Sequence, residues 1–121
     1  MFELCVQREF CAAHAIAIHG RSEPVHGHNW SVEVVVWGED LDDNGILLDF
    51  HQIERHLDEI IARFHNRDLN RTTPFDRINP TAEHVAQHIA QSIAPRLPSH
   101  VRHRRVTVGE APGCRATYRM S

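Results

Sequence analysis

The stretch HGHNWSVEVVVWG, residues 26–38, constrains the fold of this chain more than any other. Trp30, Val32, Val34 and Val36 alternate with Asn29, Ser31 and Glu33. A period of two sends neighbouring side chains to opposite faces, so the stretch predicts a strand with one strongly apolar face. Such a strand needs a sheet to pair with and a second layer to cover that face.

The rest of the chain supplies both. FELCVQREFCAAH, residues 2–14, sets Phe2, Leu4 and Val6 among polar partners and reads as an earlier strand. EDLDDNG is an acidic turn ending in Asn-Gly, and ILLDF reads as a short extended return. Asp49 stands as an N-cap, with Gln52 three residues later to complete a capping box. Ile53, Leu57, Ile60, Ile61 and Phe64 follow at helical spacing, and Asn66 closes the helix. NRDLNRTTPFDRINP is a polar loop punctuated by proline. Thr81 opens a second helix with Val85, Ile89 and Ile93 on one face, small Ala82, Ala86 and Ala90 beside them, and Pro95 at its end. HVRHRRVTVGE and CRATYRM read as a closing hairpin around APG. The predicted order is β-β-α-α-β-β, an α+β fold with a four-stranded antiparallel sheet and two helices on one face. Its two sheet edges predict oligomer formation.

At 121 residues, the chain is expected to form one domain over 1–121. Apolar residues make up 41% and charged residues 24%, a soluble globular composition with no apolar run long enough for a membrane span. The mixed charges of MFELCVQREF argue against a signal peptide. A formal charge of −3 gives no reason to expect nucleic acid. Cys5, Cys11 and Cys114 are odd in number and form no CxxC pair, which predicts a reducing, cytoplasmic setting.

The unusual feature is the count of eleven histidines. His26 and His28, two apart on a strand, aim both imidazoles to one side, and Gly27 leaves the space between them open. A catalytic zinc takes three protein ligands and keeps one position free. His14 ends the neighbouring strand and is the natural third ligand, with Cys11 and His19 as competitors. An unmetallated edge-strand pair is the plain alternative, but imidazoles opening so apolar a strand would be poorly solvated. His51, His56, His84, His88, His100 and His103 show no such constellation and read as solvated positions.

FCAAHAI, VHGHNWSVEV, GILLDF, NPTAEHVA and VTVGEAPGCRATY occur here in the order found in the 6-pyruvoyl- and 6-carboxy-tetrahydropterin synthases, and the chain resembles that family nearly end to end. The resemblance implies a tunnelling fold (T-fold), in which β-β-α-α-β-β subunits pair their sheets into an oligomeric barrel. It implies Zn2+ on His14, His26 and His28, a pterin substrate anchored by Glu110, and active sites between subunits; with the sheet edges it predicts a homohexamer built from two trimers. A buried carboxylate suits the row of N–H donors on a pterin's pyrimidine edge. Thr81 and Glu83 match family positions near the pterin, although either also suits the start of a helix.

The chain departs from the family pattern at three points. Ser22 stands where the family carries a cysteine base, and a hydroxyl needs its own activator. Asn66 stands where the family has the histidine of an Asp-His pair, leaving His65 one place away as a substitute. Glu23, three residues before His26, matches a branch that cleaves dihydroneopterin by a retro-aldol reaction, and a carboxylate beside a metal suits general base work. The sequence-level function is a zinc-dependent lyase acting on dihydroneopterin triphosphate with an altered triad of Glu23, His65 and Ser22. The alternatives are retro-aldol cleavage with Glu23 as base, and a non-catalytic pterin- or purine-binding relative. The arginines of HVRHRR suit either an exposed strand face or attraction of a triphosphate.

Overall fold

The structure is a computed structural model and describes residues 1–120. Strand β1 (Phe2–His14) pairs antiparallel with β4 (His26–Gly38) along their whole lengths, from Phe2 opposite Gly38 to His14 opposite His26. The alternation seen in the sequence sets the faces. Val6, Phe10, Ala12 and His14 of β1 are buried with Trp30, Val32, Val34 and Val36 of β4. Phe10 and Trp30, directly paired, stack with ring centroids 5.8 Å apart.

The expected sheet gains a fifth strand. The order is β5 (Arg67–Asp68), β1, β4, β6 (Arg102–Ala111) and β7 (Cys114–Arg119), the last two forming the closing hairpin. Its turn needs Gly113, at φ 86°, where a side chain would be strained. The added strand β5 (Arg67–Asp68) lies parallel against Ala12 and Ala13, so the sheet is mixed. Two residues carry no readable period, and the sequence therefore gives no sign of β5. Between β1 and β4 a small ribbon forms from β2 (Ala17–Ile18) and β3 (Arg21–Ser22), reversing through His19 and Gly20 at positive φ. ILLDF is not a strand: Leu47 and Leu48 are both buried, which an alternating strand with one solvent face would not allow.

Helix α1 (Phe50–Ile61) starts where Asp49 accepts a hydrogen bond from His51 N at 2.9 Å. It buries Ile53, Leu57, Ile60 and Ile61 and ends before Asn66. Asn66 instead sits at φ 59° and donates its N–H to Cys11 O at 2.6 Å, steering the chain into β5. Helix α2 (Ala82–Ile93) is capped by Thr81 and buries Val85, Ala86, Ile89, Ala90 and Ile93, with Pro95 in the tight turn that follows. Both helices cover the apolar face of the sheet. Each fully buried aliphatic side chain there contributes roughly 1.5–3 kcal/mol.

Several histidines expected to be solvated are not. His103 is 4% exposed because a bulge between Val35 and Val36 turns it towards the helices. His88 packs edge-on against Phe64 and Phe75, and its pKa is lowered by loss of solvent and by Arg63 nearby. His84 Nδ1 donates to Asn79 O at 2.7 Å, and His56 Nδ1 is buried.

Candidate metal centre and active site

Three imidazoles meet at one end of the sheet. His14 closes β1, His26 opens β4 opposite it, and His28 lies two residues further on the same face. Their ring centroids stand 4.6–5.1 Å apart, and their ligating nitrogens all lie within 4.8 Å of one another. His14 Nδ1 donates to Pro80 O at 2.7 Å and His26 Nδ1 donates to Pro24 O at 2.9 Å. Those bonds fix the tautomer that leaves Nε2 as a lone pair, the arrangement a metal-binding imidazole needs. The Nε2 atoms of His14 and His28 are buried without a hydrogen-bond partner. An unpaired buried nitrogen costs roughly 1–3 kcal/mol, and a divalent cation is a group that could satisfy both. The pKa of His28 is lowered first by desolvation and then by His14 and His26, which favours the neutral, ligating form. Trp30 walls the cluster edge-on, 4.8 Å from His14 and 5.6 Å from His28, with its indole N–H tied to Ala12 O at 3.1 Å. The competing ligands do not join: Cys11 faces the other side of the sheet and gives its thiol hydrogen to Asn29 Oδ1, and His19 sits in the exposed ribbon turn.

Two carboxylates face the cluster. Glu23 Oε1 lies 3.6 Å from His26 Nε2 and accepts the N–H of Ile16 at 3.2 Å. Its own N–H returns to Ile16 O at 3.0 Å, so the residue is held at both ends. Glu110, the last residue but one of β6, lies beside them, with Oε1 3.8 Å from His14 Nε2. Gly109 before it permits close approach of the strands, since a Cβ there would stand 2.5 Å from Ser31 Oγ. The other sequence candidates stand apart, and no hydrogen bond or ion pair among the described residues links them to the imidazoles. Ser22 is exposed and its hydroxyl donates to Glu23 O at 3.4 Å. The Thr81 hydroxyl accepts His84 N–H at 3.1 Å as a helix cap, and Glu83 is exposed in the first turn of α2. His65 Nδ1 accepts the N–H of Cys11 at 3.1 Å, three residues before His14, which leaves Nε2 with the proton.

Sequence reasoning missed the groups that hold this end of the sheet in place. The Asn70 side chain accepts Ala15 N–H at 2.8 Å and donates to Ala15 O at 2.9 Å. Asn79 makes the same pair of bonds to Ala17, at 2.8 and 2.9 Å. With Glu23 on Ile16, the three residues after His14 are held by side chains as a strand partner would hold them. The only sequence signal is the pair of asparagines in an otherwise ordinary polar loop.

A three-histidine cluster that could hold a metal ion, flanked by two carboxylates, lies at the end of an antiparallel ladder backed by two helices in an α+β architecture. The 6-pyruvoyl tetrahydropterin synthase family model matches residues 3–121, and the chain belongs to that family of pterin-metabolising enzymes. It is 36% identical over 101 residues to the dihydroneopterin monophosphate aldolase of Pyrococcus furiosus, covering 84% of this chain and 82% of that one. A provisionally assigned 6-carboxy-5,6,7,8-tetrahydropterin synthase of Archaeoglobus fulgidus is 35% identical over 80 residues, spanning 66% of this chain and 65% of the relative. In fold, the Caenorhabditis elegans 6-pyruvoyl tetrahydropterin synthase aligns over 100% of this chain and 98% of its own with a TM-score of 0.82 at 23% identity. A Plasmodium vivax 6-pyruvoyltetrahydropterin synthase, solved with a catalytic glutamate changed to alanine, covers 99% and 98% with a TM-score of 0.80 at 17% identity. The chain thus has the tunnelling fold.

Proposed function

We propose that the chain is a zinc-dependent lyase on a dihydroneopterin-type substrate, and that it breaks the side chain by retro-aldol cleavage with Glu23 as the base. The observation that carries this reading is the Glu23 carboxylate, 3.6 Å from a metal-site imidazole nitrogen and fixed by the Ile16 amide. Three neutral imidazoles suit zinc, which when bound supplies Lewis acidity to the side-chain hydroxyls. Glu23 takes the proton of the middle side-chain hydroxyl, on the second carbon from the ring; the bond between that carbon and the inner carbinol carbon breaks, an aldehyde leaves, and the pterin ring accepts the electron pair. A proton returned to the ring-side carbon gives a hydroxymethyl dihydropterin, and His65, protonated on Nε2, is a candidate donor if a neighbouring subunit brings it to the site. Glu110 accepts the pterin's pyrimidine donors, while Thr81 and Glu83 serve the start of α2. The subunits assemble as a homohexamer of two trimers. The aldolase relative from Pyrococcus furiosus supports the retro-aldol reaction.

The second reading is the elimination reaction on dihydroneopterin triphosphate, supported by the synthase-named relatives. It requires a base of suitable pKa, which neither Ser22 nor Asn66 provides. Product analysis separates the two. Zinc-loaded protein is incubated with dihydroneopterin, its monophosphate and its triphosphate. Retro-aldol cleavage releases glycolaldehyde or a phosphorylated glycolaldehyde together with hydroxymethyl dihydropterin. Release of inorganic triphosphate in place of a phosphorylated glycolaldehyde would overturn the reading in favour of elimination; no product from any of the three would mark a non-catalytic binder.

A further inference from the structure

The arginines of HVRHRR have no part in the metal centre. Trp37 lies eleven residues beyond His26 on β4, about 36 Å away at ~3.3 Å per residue, and Arg102 pairs opposite it. The last β6–β7 pair joins Arg105 to Arg119, so β6 leaves the ladder with β7 before it reaches residues 102–104. This opens a cavity of about 660 Å³ between the sheet and the end of α2, within the size range of small-molecule sites. Trp37, Arg102, His103, Arg104 and Arg119 line it, and no acidic side chain does among the described residues. Arg104 is engaged by Glu3 at 2.8 Å. Among the described residues, Arg102 and Arg119 join no ion pair. His103 is 4% exposed, and its Nε2 is buried with no hydrogen-bond partner.

We propose that this cavity binds a polyphosphate-bearing small molecule, held by the Arg102 and Arg119 guanidiniums and the His103 imidazole. Guanidinium forks match phosphate oxygens bidentately, and two of them answer two phosphate groups. His103 has an unmet nitrogen that either tautomer turns to use, donating to a phosphate oxygen or accepting from a bound P–OH. Two terms oppose binding. The end of α2 at Ile93 carries about half a negative charge, and the Glu3 carboxylate stands nearby on Arg104. Two free guanidiniums outweigh both, because Glu3 is already neutralised by its own partner. Trp37 gives the cavity one aromatic wall, so a nucleoside triphosphate and a free polyphosphate share the same anchor and differ only at that wall.

Trp37 also reports binding, because Trp30 is fully buried elsewhere. The zinc-loaded full chain is titrated with sodium tripolyphosphate and, separately, with GTP, following tryptophan emission at constant ionic strength. A saturable change is expected, absent in Trp37→Phe. Arg102→Ala and Arg119→Ala should each weaken binding at least tenfold, while Arg55→Ala, which removes one charge on α1, leaves it unchanged. Zinc content serves as the folding control, and Arg102→Lys, which keeps charge but not the fork, should fall between wild type and alanine. Tighter binding of GTP assigns the Trp37 wall to a base; equal affinity assigns the cavity to phosphate alone. No saturable response in the wild type, or equal weakening by Arg55→Ala, would overturn the proposal.

Discussion

Replacing Asn70 by alanine should destabilise the fold far more than the same change at Asn79. Both asparagines hold one residue through its N–H and its carbonyl. The surroundings differ. Ala15, held by Asn70, is 6% exposed, whereas Ala17, held by Asn79, is solvent-exposed. Loss of the Asn70 amide strands a donor and an acceptor away from water, at about 1–3 kcal/mol each, or roughly 2–6 kcal/mol together. Water replaces Asn79 at Ala17, so that change costs about 1 kcal/mol or less. Asn70→Asp keeps the acceptor for Ala15 N–H but sets a carboxylate against Ala15 O, and should be no better than alanine. The assay is urea unfolding with excess chelator, so that metal binding does not add to the measured stability. Because Ala15 follows His14 directly, Asn70→Ala should also weaken zinc binding, as a misplaced ligand would. Equal stability for Asn70→Ala and Asn79→Ala would refute the reasoning.

Further outcomes follow from the site. His26→Ala should abolish stoichiometric zinc, measured by elemental analysis, while circular dichroism remains that of a folded chain. Glu110→Ala should weaken pterin binding more than tenfold with zinc retained, since a desolvated, charge-assisted contact removed from one side costs on the order of 2–5 kcal/mol; calorimetric titration measures it. Burial lowers the pKa of His88, with Arg63 adding to the effect, so the unfolded chain binds that proton first as pH falls. Stability contributed by neutral His88 is therefore full above about pH 6.5, its unfolded value, and is lost as pH drops towards the folded pKa. His88→Phe should make the urea midpoint less sensitive between pH 7.5 and 5 than in the wild type.

Much of the fold was legible because strong periods leave little choice. The alternation at Trp30, Val32, Val34 and Val36 fixed both a strand and its buried face, and Asp49 and Thr81 marked helix starts that the structure keeps. The grouping of His14, His26 and His28 was legible for the same reason: spacing two on one strand and the end of its neighbour lead to one point. What escaped the sequence lacks a period. The two-residue strands β2, β3 and β5 are too short to alternate, and the bulge that buries His103 breaks the alternation by one residue. The asparagine clamps on Ala15 and Ala17 depend on loops crossing in space, over separations of 55 and 62 residues. The position of Glu23 beside His26 rests on the β2–β3 ribbon, which reverses through His19 and Gly20 at positive φ; only the glycine hints at it in sequence.

The central claim is that Glu23 is the base of a metal-assisted retro-aldol cleavage. The direct measurement is the rate of aldehyde release from dihydroneopterin monophosphate by zinc-loaded wild type, Glu23→Gln and Ser22→Ala, each with its zinc content determined. Glu23→Gln keeps the shape and removes the base, so the rate should fall by roughly 10²–10⁴-fold at unchanged zinc. Ser22→Ala should retain the wild-type rate, because its exposed hydroxyl is engaged with the Glu23 carbonyl and has no bond to the imidazoles among the described residues. Undiminished release by Glu23→Gln, or loss of release in Ser22→Ala alone, would contradict the account.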